Sequence, residues 1–144
     1  MTWVIDASVA LKWFLSSRPD EADAPAALNL LAAHVDGRIR LLQPPHFQAE
    51  VCAALARVAP ESITDNLRDL LDLSIPVRDD PLVYARAMQL GRQLDHHVFD
   101  TLYHAVALET EGAQLVTADD AYRRKALRHG VGRVVTLAQW QAGG

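Results

Sequence analysis

Four carboxylates stand where folding alone does not ask for an acid: Asp6, Glu50, Asp100 and Asp119. Asp6 closes the short apolar run Trp3-Val4-Ile5, and Asp119 follows Leu115-Val116-Thr117-Ala118. A run of β-formers that ends in Asp before a helical pattern reads as a buried strand delivering an acid to its C-terminal end. In open α/β sheets the crevice outside those strand ends is where ligands sit. Glu50 lies on the same stripe as Phe47, Val51, Ala54, Leu55 and Val58, an i, i+4, i+7, i+8, i+11 pattern that should face a core. A glutamate facing inward is costly unless it is paired or bound to a cation. Asp100 opens a segment in which Leu102, Tyr103, Val106, Ala107 and Leu108 are nearly all apolar.

Each acid has a local explanation. Asp6 and Asp119 could be turn residues or helix caps, Asp100 could complement a helix N-terminus, and a salt bridge to Arg57 or Arg86 would satisfy Glu50. Taken together they offer more, because two strand ends and two helix starts can converge on one edge of a parallel sheet. Four like charges in one cleft repel, so the cluster would carry raised pKa values or recruit cations. An all-oxygen donor set suits Mg2+ or Mn2+ and not zinc, which wants His or Cys. Two such ions about 4 Å apart can activate a water and neutralise the leaving oxygen in phosphodiester hydrolysis, with no side-chain nucleophile.

The elements that must position these acids alternate along the chain. The spacing predicts strands over the opening run Met1–Asp6 that stops at the carboxylate, Ile39–Leu42, Gln114–Thr117 and Gly132–Leu137, with Ser74–Val77 a poor edge candidate because Pro76 cannot donate to a ladder. It predicts helices over Val9–Leu15 with Ser8 as N-cap, Asp23–Val35, His46–Val58, Ser62–Leu73, Pro81–Leu94, Val98–Thr110 and Ala121–Arg128. Strands joined by helical crossovers imply an α/β fold of three layers, α/β/α, around a mostly parallel central sheet of four to five strands. No repeat, low-complexity tract or long linker interrupts it, and 144 residues fit one domain spanning the chain.

Composition bounds the partners. Half the residues are hydrophobic, and 14 Lys and Arg face 18 Asp and Glu, so no global basic footprint marks a polyanion binder. The net charge of −4 equals the charge of the four acids alone, and bound divalent cations would invert that local field. A lone cysteine, Cys52, excludes an internal disulfide and fits a reducing compartment. With no signal-like or membrane-spanning run, the expectation is a soluble cytoplasmic protein.

The motifs themselves carry a resemblance. Val4-Ile5-Asp6-Ala7-Ser8-Val9-Ala10-Leu11-Lys12-Trp13, Glu50-Val51-Cys52-Ala53-Ala54-Leu55, Phe99-Asp100-Thr101-Leu102-Tyr103-His104-Ala105 and Leu115-Val116-Thr117-Ala118-Asp119 resemble the PIN-domain ribonucleases, specifically the VapC-like toxins of type II toxin-antitoxin pairs. The resemblance covers nearly the whole chain in the right order. It implies Mg2+ or Mn2+ held by Asp6, Glu50, Asp100 and Asp119, endonucleolytic RNA cleavage, a homodimer and a cognate antitoxin protein. It also implies that the hydroxyls of Ser8 and Thr117 support the metal site. Two departures bear on rate and substrate preference: Ala53 stands where many relatives carry Asn, and His96 and His97 precede the third acid.

Other residues are secondary. Arg123, Arg124, Lys125 and Arg128 form the one dense basic cluster, either a solvated helix face or a contact for the RNA backbone. Lys12 could reach the site or snorkel to solvent. His104 lies four residues after Asp100, so both could face one ion, although a core position is the plainer reading. His96 and His97 read as a polar helix entry, with a role in orienting RNA as the alternative. Trp3, Trp13 and Phe14 suit a core or dimer interface better than a base-stacking platform. A haloacid-dehalogenase-type phosphatase would want an acid where Ser8 stands, an HD-type phosphohydrolase would want an adjacent His-Asp pair, and a receiver domain would want an acidic pair near the first strand. The remaining competitor is a catalytically weak PIN-fold protein that mainly binds a partner protein or RNA.

Overall fold

The structure, a computed structural model, describes residues 1–143. In chain order the elements are β1 (Thr2–Ile5), α1 (Ala7–Leu15), α2 (Ala24–Val35), β2 (Arg40–Leu41), α3 (Phe47–Val58), a 3-10 turn at Pro60–Ser62, α4 (Ile63–Asp72), α5 (Pro81–Leu94), α6 (Val98–Leu108), β3 (Gln114–Thr117), α7 (Asp120–Arg128), β4 (Val134–Thr136) and α8 (Leu137–Gly143). The strands form one parallel sheet in the order β2-β1-β3-β4. Thus β1 and β3, the strands that lead to Asp6 and Asp119, are the central neighbours, with Ile5 opposite Val116.

Val4, Ile5, Leu115 and Val116 are all buried, so consecutive residues pointing to opposite faces are both covered. That is the signature of a parallel sheet sandwiched between helices. Helices α1 and α6 both pack on β1 and β3, α5 lies along α6, and α8 packs on β3, β4 and α2. Helix α6 is apolar all round because it is enclosed all round: Thr101 through Ala107 are buried without a break. Among the described residues no helix is long and apolar enough to cross a membrane.

The expected elements are present with local differences. The edge segment around Pro76 contributes only a single parallel bridge, Gln43 to Val77, in which the Pro76 carbonyl accepts from the Gln43 amide at 2.9 Å. Proline therefore offers its acceptor and lacks nothing at this edge. β2 is only two residues long, and the Gln43 side chain continues its work: its Nε2 donates to the Ile5 carbonyl at 2.6 Å and its Oε1 accepts the Ile5 amide at 2.9 Å. A buried glutamine thereby supplies the pairing that the last residue before Asp6 would otherwise lack.

Helix α8 was not foreseen, since Leu137 reads as the end of β4 when hydropathy alone is followed. Its signal is a capping box: the Gln139 amide donates to Thr136 Oγ1 at 3.2 Å, and the Thr136 amide donates to Gln139 Oε1 at 2.9 Å.

Candidate functional site

Asp6 sits one residue past β1 with extended backbone, and it caps α1. Ser8, expected to be the cap, is instead inside the first turn, because the chain leaves the sheet at Ile5 and α1 starts at Ala7. Asp6 Oδ1 accepts the Ser8 amide at 2.6 Å and also the Ser8 hydroxyl, while Oδ2 accepts Thr117 Oγ1 at 2.6 Å. Burial pushes the Asp6 pKa up and the nearby Asp100 charge adds to the rise, against the lowering effect of the Ser8 and Thr117 hydrogen bonds. Asp119 mirrors this arrangement at the end of β3: it caps α7 by accepting the Tyr122 amide at 3.1 Å, and its own amide donates to Thr117 Oγ1 at 2.9 Å. Thr117 therefore joins the two strand-end acids, donating to one carboxylate and accepting from the other residue's backbone.

The other two acids come from helices. Glu50, in the first turn of α3, is not paired with Arg57 or Arg86; Arg86 binds Glu109 at 2.7 Å instead. Its partner is Tyr103, whose hydroxyl donates to Glu50 Oε1 at 2.6 Å from the buried helix α6. His46 Nε2 lies 3.3 Å from the same oxygen and donates more directly to the Phe99 carbonyl at 2.6 Å. Asp100, in the first turn of α6, caps no amide; its Oδ2 meets His96 Nε2 at 2.9 Å.

All four acids line one cleft of about 240 Å³, together with Ser8, His96, Tyr103 and Tyr122. The Tyr103 hydroxyl has its pKa pushed far up by burial and by Glu50, and burial chiefly raises that of Tyr122, so both stay protonated at physiological pH. The local readings of Asp6 and Asp119 as caps thus hold, without removing either carboxylate from the cleft. A carboxylate offers about four lone-pair sites, and capping uses one or two of them.

The donor set fits a hard divalent cation in kind, since four carboxylates line the carboxyl edge of the sheet and the His96 imidazole beside them is engaged with Asp100. As they stand, no three His, Cys, Asp or Glu side chains among the described residues are gathered tightly enough to hold an ion. Each acid is instead turned toward a protein donor, which offsets part of the repulsion among like charges. Glu50 and Asp100 accept from side chains alone, whereas Asp119, although exposed, is tied to the Tyr122 amide and Asp6 to the Ser8 amide, so the two helix-borne acids are the pair with freedom to turn.

Several other residues take positions different from those expected. Lys12 neither reaches the cleft nor snorkels to solvent: it is buried, paired with Glu21 at 3.0 Å and donating to the Ala22 carbonyl at 2.6 Å. The acid that captures it lies in the α1–α2 connection, beyond the reach of helix periodicity. His104 does not face the cleft; it is fully buried, with Nε2 donating to the Gly132 carbonyl at 2.7 Å and Nδ1 accepting from Tyr122 at 2.9 Å. Trp13 is core, its indole N–H donating to the Ala27 carbonyl, and Trp3 packs edge-on against Trp140. In the basic cluster, Arg123 and Arg124 share Asp120 at 2.7 and 3.1 Å, and Lys125 contacts His96.

Tyr103 and Tyr122 escaped sequence reading because each looks like one more apolar residue. The available signal was chemical: a tyrosine in an aliphatic buried helix carries a hydroxyl that needs a partner.

Fold and cleft together define a class, the parallel α/β proteins with a carboxylate cluster at the carboxyl edge of the sheet. Within that class the chain belongs to the PIN domain family, whose pattern it matches over residues 3–127. Solved structures agree with the fold. DNA-bound VapBC from Salmonella typhimurium is 14% identical with a TM-score of 0.66, covering 95% of this chain and 98% of that one. VapBC2 from Rickettsia felis, bound to a promoter DNA fragment, is 14% identical with a TM-score of 0.62, covering 94% and 97%. PAE2754 from Pyrobaculum aerophilum is 20% identical with a TM-score of 0.61, covering 99% and 94%. No curated protein sequence matches the chain.

Proposed function

We propose that this protein is a Mg2+- or Mn2+-dependent endoribonuclease, the toxin of a type II toxin-antitoxin pair, which hydrolyses RNA phosphodiester bonds. The observation that carries this reading is the convergence of Asp6, Glu50, Asp100 and Asp119, from four separate elements, on one cleft. These acids would hold the metal. When bound, it would supply a water of lowered pKa and neutralise charge on the scissile phosphate and leaving oxygen.

The protein's own residues prepare that cleft. Ser8 and Thr117 fix the carboxylate plane of Asp6, and Tyr103 restrains Glu50. Arg123, Arg124 and Arg128 follow Asp119 on α7, and cations there would steer and seat a phosphate backbone without reading its sequence. Asp120 shares its charge with two of them, so RNA competes with an internal acid for those arginines. A cognate antitoxin protein belongs to the same reading, supported by the likeness to two VapBC structures, and a homodimer and a cytoplasmic setting are proposed with it.

A second reading has its own support. Because each acid already has a protein donor and no three form a ready metal group among the described residues, the chain could be a catalytically weak PIN-fold protein that binds a partner protein or RNA. Incubation of the purified protein with RNA and Mn2+ separates the two. Cleavage that stops with chelator, returns with excess Mn2+ and is lost in Glu50→Gln supports the nuclease. Cleavage that survives chelator or Glu50→Gln overturns it, and RNA binding without cleavage supports the second reading.

A further inference from the structure

The loop between α5 and α6 holds a hydrogen-bonded chain whose proton positions can be assigned from chemistry alone. Lys125 Nζ lies 3.1 Å from His96 Nδ1 and 3.2 Å from the Asp95 carbonyl. An ammonium has only donors, so Nδ1 must be the accepting nitrogen and the ring proton sits on Nε2. Nε2 in turn faces Asp100 Oδ2 at 2.9 Å. The direction therefore runs one way, from lysine to imidazole to carboxylate.

Four features of the chain build this arrangement. Asp95 adopts a left-handed conformation at the end of α5, with φ of 50°, which turns the chain back over the helix. The His96 amide then donates to the Gly91 carbonyl at 2.9 Å, closing α5. Gly91 permits the approach, since a Cβ there would lie 3.1 Å from the His96 carbonyl oxygen and 3.2 Å from Val98 Cγ2. The imidazole finally rests edge-on against Tyr122, with ring centroids 4.9 Å apart, and Tyr122 is itself tied to the buried His104. The ring thus has one side chain on each nitrogen and an aromatic wall beside it.

We propose that His96, held in its Nε2–H form by Lys125, is a positioning residue for Asp100, and that Lys125 serves as a strut between α7 and this loop rather than as a free contact for RNA. The inference rests on the reading that the acids hold a divalent cation. Asp100 is the most exposed of the helix-borne acids, and its side chain caps no backbone amide. His96 is the donor that limits its rotation and leaves its other oxygen for a ligand. Partners of this kind behind a metal ligand typically change metal affinity about 10- to 100-fold when removed.

The test is calorimetric titration of Mn2+ into the full chain and its variants, together with long-range 1H–15N spectra of the histidines. His96→Gln keeps a donor near the Nε2 position, whereas His96→Leu keeps bulk and loses the donor. Mn2+ affinity about 10-fold weaker in His96→Leu, with His96→Gln near wild type and a wild-type spectrum showing the Nε2–H form, is the expected result. Lys125→Met, which leaves His96 in place, should disturb that tautomer and weaken Mn2+ binding; it serves as the second variant if His96→Leu does not fold. Equal affinities in wild type, His96→Leu and Lys125→Met overturn the inference alone, and so does equal weakening by His96→Leu and His96→Gln. If wild type binds no Mn2+, the metal reading falls and this inference with it.

Discussion

The two acids at strand ends and the two on helices are held by different means. Asp6 and Asp119 are fixed by their own neighbourhoods, each capping the helix that follows its strand, with Thr117 between them. Glu50 and Asp100 have no backbone amide to cap and are held by ring-bearing side chains, Tyr103 and His96. Strand-end carboxylates in a parallel sheet come with donors built in, because the next helix presents its free N–H groups there. Helix-borne carboxylates need donors recruited from elsewhere, here from 53 residues away in the case of Glu50 and Tyr103. One half of the cleft is consequently rigid by construction and the other half is adjustable.

The largest effect should come from the rigid half. Asp6→Asn should lower Mn2+-dependent RNA cleavage by more than about 100-fold, beyond the range typical of partners that only orient a ligand. The same change should leave the melting temperature of the metal-free protein unchanged or raised. Burial lifts the Asp6 pKa in the folded state, so the ionised carboxylate costs stability once pH rises from 3.8 through the folded value, and a neutral amide avoids that cost. A calorimetric melt at neutral pH showing marked destabilisation would mean that Asp6 is principally a structural cap.

Thr117→Val follows in size. It removes the hydroxyl joining both strand-end acids at nearly constant volume, and Mn2+ affinity should fall about 10- to 100-fold in a direct titration. Tyr103→Phe tests the adjustable half: deleting one hydrogen bond to a carboxylate should cost about 1 to 3 kcal/mol in urea unfolding, with a smaller loss of Mn2+ affinity than Thr117→Val. If Tyr103→Phe hurt metal binding more than Thr117→Val, the contrast between rigid and adjustable halves would be reversed.

The smallest effect concerns pH and lies behind the cleft wall. Burial lowers the pKa of His104 below 6.5, with its bond to the Gly132 carbonyl opposing the shift. The unfolded chain then takes up a proton that the folded chain resists, so stability declines as pH falls below 6.5 toward the folded value. His34 shifts the same way through burial. Melts from about pH 7 to about pH 5 should show this decline, shallower in His104→Gln; an identical slope in the variant would remove His104 from the explanation.

What could be read from sequence follows the same division. The strand-end acids were visible as carboxylates closing apolar runs, and Glu50 as an acid on an apolar stripe, because both signals are local and periodic. The parallel α/β architecture was legible for the same reason. The partners of Glu50 and Asp100 were not: Tyr103 in apolar company looks like packing until the fold brings a carboxylate to it, and His96 beside Asp95 and His97 reads as a polar helix entry. Lys12 was misjudged because helix periodicity says nothing about Glu21 and Ala22, which fold back over α1. Helix α8 was hidden because its apolar start extends β4, and only the Thr136–Gln139 box separates the two.

The central claim is that acids from four elements hold a divalent cation in one cleft. Anomalous diffraction at the manganese edge, from crystals grown with Mn2+, tests it most directly. The expected result is a peak bounded by Asp6, Glu50, Asp100 and Asp119, about 2 Å from carboxylate oxygens as for small hard divalent ions, and absent in Glu50→Gln crystals. An empty cleft in crystals whose fold is otherwise unchanged would contradict it.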